Sequence, residues 1–229
     1  IARKFNRSIF NMLAVIGKPA AGKSTLGFLI SLFISKYVYY TKVPESMDIE
    51  NLEKLKEGFV HTKKRVVLFF DDFSFAITGR SQKDRQRLKN LMEIRHILGE
   101  DKRYYVILIG HYVRSLAPVL RSAHIKILTS VDAAELRLYE SEYLFSEPSL
   151  ITYYEYLTER PNEKLILVNY GTTEKIMNVT LSNVRAIIRR KRVKQLGPWT
   201  LYRFDNSKNK LANIDKVMSD ADGSSQNNS

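Results

Sequence analysis

The chain of 229 residues contains no cysteine. That excludes disulfides, thiolate zinc sites and cysteine nucleophiles, and it fits a reducing compartment. Long apolar runs are missing too. The longest apolar stretch, residues 26–34, is too short to span a bilayer and is closed off by Lys36. No secretory signal and no internal repeat are evident. Acidic residues are in deficit: 24 Asp and Glu stand against 37 Lys and Arg, a formal net charge of +13 with a pI of about 9.8. A balance that basic favours a polyanionic partner, nucleic acid first, with an inert basic surface as the alternative. We expect a soluble cytoplasmic protein with no membrane partner.

What is present suits one α/β domain with a short appendage. Hydrophobic residues make up 44% of the chain, and 13 Tyr and 11 Phe add large packing surfaces. Short apolar runs read as buried strands at residues 12–16, 66–70, 104–109, 125–128 and 165–169. Residues 37–41 are β-rich, and residues 175–181 read as an edge strand. Helical patterns follow from Ser24, at residues 48–57, at 84–98 with Leu88, Leu91, Met92 and Leu98 on one face, around 114–120 and at 132–144. Residues 183–195 read as a basic helix, and the polar tail from Ser219 as disordered. The expected organisation is a core over residues 1–181, a basic extension over 182–218 and a tail over 219–229. Strands alternating with helices predict a mainly parallel sheet covered on both faces, with ligands at the carboxyl ends of the strands.

The strongest motif is Gly17-Lys18-Pro19-Ala20-Ala21-Gly22-Lys23-Ser24-Thr25, which fits G-x-x-x-x-G-K-[ST]. Its glycines let successive backbone N–H groups turn towards phosphate oxygens, and the loop feeds a helix N-terminus that favours an anion. It follows a predicted strand and opens a predicted helix, the context such a loop requires. The expected ligand is a nucleoside triphosphate, with ATP first. Lys23 would reach the β and γ phosphates, and Ser24 would place its hydroxyl on Mg²⁺, with Thr25 in support. Asp71-Asp72 ends a buried strand downstream. Asp71 is the candidate metal ligand. Asp72 is the candidate to orient or deprotonate the attacking water, with capping of the next element as the alternative. His111 ends the strand over residues 104–109 and is a γ-phosphate sensor candidate or a turn residue. Arg121 precedes the next strand. It is a candidate to stabilise transition-state charge in a neighbouring subunit's site, or a surface arginine at a helix end.

Two basic sets are candidate nucleic-acid contacts. Arg80, Lys83, Arg85 and Arg87 follow the acidic strand. Arg185, Arg189, Arg190, Lys191, Arg192, Lys194 and Arg203 lie near Trp199, Tyr202 and Phe204, so cations and stacking aromatics alternate. In each set a solvated charged face is the alternative.

With these residues in place, the sequence resembles the FtsK/HerA superfamily of P-loop ATPases. The resemblance runs over roughly residues 12–170. It is carried by the phosphate loop, Phe69-Phe70-Asp71-Asp72, the Arg95-His96 pair, the strand ending at Ile109, and Leu120-Arg121-Ser122 with Ile125-Lys126-Ile127-Leu128 after it. That group includes DNA translocases, viral genome-packaging ATPases and filamentous-phage assembly ATPases of the Zot type. It usually has Gln where this chain has His111, and Asp-Glu where this chain has Asp71-Asp72. The resemblance implies a RecA-like fold of the additional-strand class, in which a further strand separates the phosphate-loop strand from the acidic strand. It also implies ATP hydrolysis with Mg²⁺, double-stranded DNA as partner, and a homo-oligomeric ring of five or six subunits. The competing resemblance is to AAA+ initiators and helicase loaders. Those follow their core with a helical lid, whereas residues 165–181 here look β-rich.

Overall fold

A computed structural model describes residues 10–62, 64–73, 81–111, 117–179 and 190–204. The expected alternation of strands and helices is present. The strands are β1 (Phe10–Ile16), β2 (Tyr37–Thr41), β3 (Arg65–Phe70), β4 (Arg103–Gly110), β5 (Ile125–Leu128), β6 (Leu165–Tyr170), β7 (Thr173–Asn178), β8 (Arg190–Leu196) and β9 (Trp199–Phe204). The helices are α1 (Lys23–Ile34), α2 (Ile49–Lys56), α3 (Gln82–Met92), α4 (Ile94–Leu98), α5 (Ala117–Ser122), α6 (Ala133–Ser141) and α7 (Glu147–Glu159).

The strands form one nine-stranded sheet in the order β7-β6-β5-β1-β4-β3-β2-β9-β8. The central five are parallel to their neighbours, and each flank adds two antiparallel strands. β4 lies between β1 and β3, as the additional-strand class requires. Side chains alternate across the sheet. Along β1, Met12, Ala14 and Ile16 enter one core layer and Leu13 and Val15 the other. Leu26, Phe28 and Leu32 of α1 cover the second layer. Residues of α2, α3, α4, α6 and α7 cover the first. The sheet is thus buried on both faces, and its central strands read as continuous apolar runs for that reason.

Three elements differ from the sequence reading. The helix expected over residues 84–98 is two helices, broken at Glu93, whose ψ of 9° leaves the helical region. The break turns Met92 outward to 41% exposure. Helix α7 is additional. The basic helix expected over residues 183–195 is instead a strand from Arg190 onward. There a hairpin turning at Gly197 (φ 56) pairs β8 with β9, and β9 with β2. Trp199 is fully buried, its ring 5.1 Å from that of Phe70, and its indole N–H donates to the Ser46 carbonyl at 3.3 Å. The basic segment thereby becomes one flank of the main sheet.

Candidate nucleotide-binding site

The loop after β1 is shaped by the end of β5. Gly17 is buried at φ 147, and a Cβ there would run into the Thr129 hydroxyl and come within 2.9 Å of the Ser130 hydroxyl. Ser130 Oγ accepts from the Lys18 backbone N–H at 2.8 Å, and Thr129 Oγ1 donates to the Ile16 carbonyl at 3.1 Å. These bonds fix the loop's entry. Its exit is fixed by close packing: a Cβ on Gly27 would meet Phe69 at 2.8 Å and Ile109 at 2.9 Å. Glycine at this position lets α1 settle on β3 and β4, and so sets the height of Lys23 and Ser24 above the strand ends. On the outer side, Lys18 pairs with Asp132 at 2.8 Å.

Lys23 is only 3% exposed. Its ammonium donates to the Lys18 carbonyl and to His111 Nδ1, the latter at 3.1 Å. Burial is the largest influence on this group and lowers its pKa to about 8, against the opposing pull of Asp72 and then Asp71. His111 Nε2 lies 3.0 Å from Asp72 Oδ1. An ammonium can only donate, so Nδ1 accepts and Nε2 carries the ring proton to Asp72. The result is a polar chain, Lys23 to His111 to Asp72, that joins the phosphate loop to the acidic strand through the end of β4.

Asp71 is held from three sides. Its Oδ1 accepts from Ser24 Oγ at 2.7 Å, its Oδ2 accepts from Tyr40 at 2.9 Å, and its backbone N–H donates to the Thr41 carbonyl at 2.9 Å. Asp72 has φ 53, a left-handed conformation that Asp tolerates better than most residues. Lys42 Nζ lies 3.6 Å from Asp71 Oδ2 and 3.6 Å from Asp72 Oδ2. Among the described residues no group of three His, Cys, Asp or Glu could cage a metal. The adjoining oxygens of Ser24 and Asp71 suit an ion that uses few protein ligands and completes its shell with water and phosphate. That is the habit of Mg²⁺.

The structure therefore brings together the loop residues, Lys23, Ser24, Asp71, Asp72 and His111. The other predicted residues lie elsewhere. His124 N–H donates to the Met12 carbonyl at 2.9 Å, so β5 begins beside the start of β1. That level is four residues, about 13 Å, below Ile16. Arg121 belongs to that opposite end of the sheet and pairs with Glu142 at 3.7 Å, so it does not serve its own loop. Arg95 and His96 bond to each other at 3.1 Å, and His96 pairs with Glu100 at 2.8 Å, away from the loop.

Arg87 corrects a sequence expectation. It is 5% exposed and forks onto Asp48, with Nε to Oδ1 at 2.8 Å and Nη2 to Oδ2 at 3.1 Å, and Glu45 follows at 3.4 Å. The Asp48 pair raises its pKa further and leaves no guanidinium face for DNA. Arg85 stays exposed on α3. Arg192 is exposed on β8, where it bonds Gln195 at 2.6 Å. Arg190 begins β8. Arg80 and Arg189 lie outside the described residues, as do Arg185 and the tail. Tyr40, Lys42, Thr129 and Ser130 are site residues that the sequence motifs do not include. Each stands at or just past the carboxyl end of a parallel strand, and that position was the available signal.

No protein-family model matches the sequence, and no curated protein matches it. Solved structures do resemble the fold. The genome packaging NTPase B204 from Sulfolobus turreted icosahedral virus 2, in complex with sulfate, superposes with a TM-score of 0.51 at 17% identity. That match covers 76% of this chain and 98% of that one. The same NTPase in complex with AMPPCP gives a TM-score of 0.50 at 17% identity, over 76% of this chain and 100% of that one. The P-loop ATPase fold implied by the FtsK/HerA resemblance is the fold of this chain, in the form seen in a viral genome-packaging NTPase.

Proposed function

We propose that this protein is an ATPase that moves double-stranded DNA, a translocase or genome-packaging motor working as a homo-oligomeric ring. One observation carries the reading: the phosphate loop, an acid pair and a polar strand-end residue meet at the carboxyl ends of the adjacent central strands β1, β4 and β3. The resemblance in fold to a genome packaging NTPase supports it.

In this reading the loop amides and the N-terminus of α1 bind the phosphates, and Lys23 meets the growing charge between β and γ. Ser24 and Asp71 would hold Mg²⁺, which when bound would supply neutralisation of phosphate charge. Asp72 orients the attacking water and takes up its proton, and His111 holds Asp72 towards the loop. Arg121 faces away from its own site, which suits a residue that completes the neighbouring subunit's site in a ring. Arg192 on β8 and Arg85 on α3 are the exposed cations that track DNA phosphates, with Arg80, Arg189 and Arg190 beside them in sequence.

A second reading is an AAA+-like initiator or loader that uses ATP as a switch. It is disfavoured because β6 and β7, where a helical lid would follow, are strands of the main sheet. The test is ATP turnover with and without duplex DNA across a salt series. Stimulation that fades as salt rises, and is absent in Lys23→Ala, is expected. Turnover indifferent to DNA at every salt would sink the motor.

A further inference from the structure

Lys42 is the cation that nothing in the sequence reading assigns. It stands one residue past β2, beside the acidic end of β3. Two adjacent carboxylates repel each other, and the left-handed turn at Asp72 brings Oδ2 of both Asp71 and Asp72 to the same 3.6 Å from one ammonium. That distance is beyond a hydrogen bond. The ammonium therefore serves both acids as a counter-charge while committed to neither. The two partners differ in freedom: the Lys42 side chain is 54% exposed and free to swing, whereas that of Asp71 is 8% exposed and pinned by Ser24 and Tyr40.

We propose that Lys42 is a tethered cation that neutralises the Asp71–Asp72 pair in the metal-free protein and is displaced when a divalent ion arrives. The inference rests on the reading of Asp71 as a metal ligand. A bare divalent ion meets Lys42 and the buried Lys23 and is opposed by both. The same ion carried by a triphosphate arrives with excess negative charge and is favoured by both. Lys42 thus makes metal binding depend on nucleotide, and keeps the carboxylates formed up without metal. It is a positioning residue: it acts through Asp71 and Asp72.

The test is Mn²⁺ titration of the nucleotide-free protein, followed by electron paramagnetic resonance, for wild type, Lys42→Met and Lys42→Arg. Lys42→Met keeps most of the stem and removes the charge. It should bind Mn²⁺ about tenfold more tightly than wild type, the scale of losing two partly exposed ion pairs. Lys42→Arg should stay close to wild type, and adding Asp71→Asn to Lys42→Met should abolish the gain. Equal or weaker Mn²⁺ binding by Lys42→Met, or a gain that survives Asp71→Asn, overturns the inference. Lys42→Gln gives the same readout should Lys42→Met not fold. No nucleotide enters this experiment. A failure here therefore leaves the nucleotide site standing, while that site is judged separately by loss of ATP-analogue binding in Lys23→Ala.

Discussion

Lys23 offers the sharpest electrostatic prediction. In the free protein its pKa is lowered from 10.5 to about 8 because its ammonium is buried more than it is compensated. Triphosphate supplies the missing counter-charge and should return the group to full protonation. At pH 9 a group of pKa 8 is about one-tenth protonated, so binding should take up about 0.9 proton. At pH 7 it is already about nine-tenths protonated, and uptake should fall to about 0.1 proton. Calorimetric titration with an ATP analogue, in buffers of differing ionisation enthalpy at pH 7 and pH 9, measures the difference directly. Lys23→Arg, which stays charged throughout, should show no such pH-dependent uptake. The same shift bears on stability without ligand. The folded pKa lies below the unfolded one, so between pH 8 and 10.5 the unfolded chain binds more protons and stability rises with pH. The gain is at most ~3 kcal/mol at ~1.4 kcal/mol per pH unit. Equal proton uptake at the two pH values, or uptake that persists in Lys23→Arg, would refute the reasoning.

Other consequences concern the supporting residues. His111→Ala cuts the link between Lys23 and Asp72 and should lower kcat about ten- to a hundredfold, by analogy with loss of an outer-shell orienting group. His111→Gln, which can still donate and accept, should keep most turnover; steady-state kinetics of the two variants decides. Trp199→Ala empties a fully buried site between β9 and β3 and should cost about 3–5 kcal/mol in urea unfolding. Arg87→Ala removes both close hydrogen bonds to Asp48, leaving it only the Lys83 ammonium at 3.9 Å, and should lower Tm while leaving the salt slope of DNA binding unchanged. Arg192→Ala should reduce that slope by about one and leave Tm alone.

Much of this was legible beforehand, and the reason is burial. β1, β3 and β4 are covered on both faces, so each appears as an unbroken apolar run ending at a motif residue. The phosphate loop is local in sequence and its motif is legible as such, although the close approach that demands Gly17 comes from Thr129 and Ser130 at the end of β5. Two of the missed site residues depend on strand order, which no local pattern encodes. Lys42 and Tyr40 belong to the site only because β2 lies beside β3. Arg87 looked like a solvated cation because its partner Asp48 is 39 residues away. β8 looked helical because five of its seven residues are polar or cationic (Arg190, Lys191, Arg192, Lys194 and Gln195), which suits an outer strand with little to bury. Helix α7 carries Tyr153, Tyr154 and Tyr156 with Ile151 44% exposed, so its apolar stripe was blurred.

The central claim is that ATP turnover moves DNA. Triplex displacement tests it most directly: a third strand annealed to duplex DNA should be released by the wild-type protein with ATP. Release should fail with Lys23→Ala and with a non-hydrolysable analogue. Tight, ATP-dependent DNA binding without any displacement would contradict the motor and leave the switch.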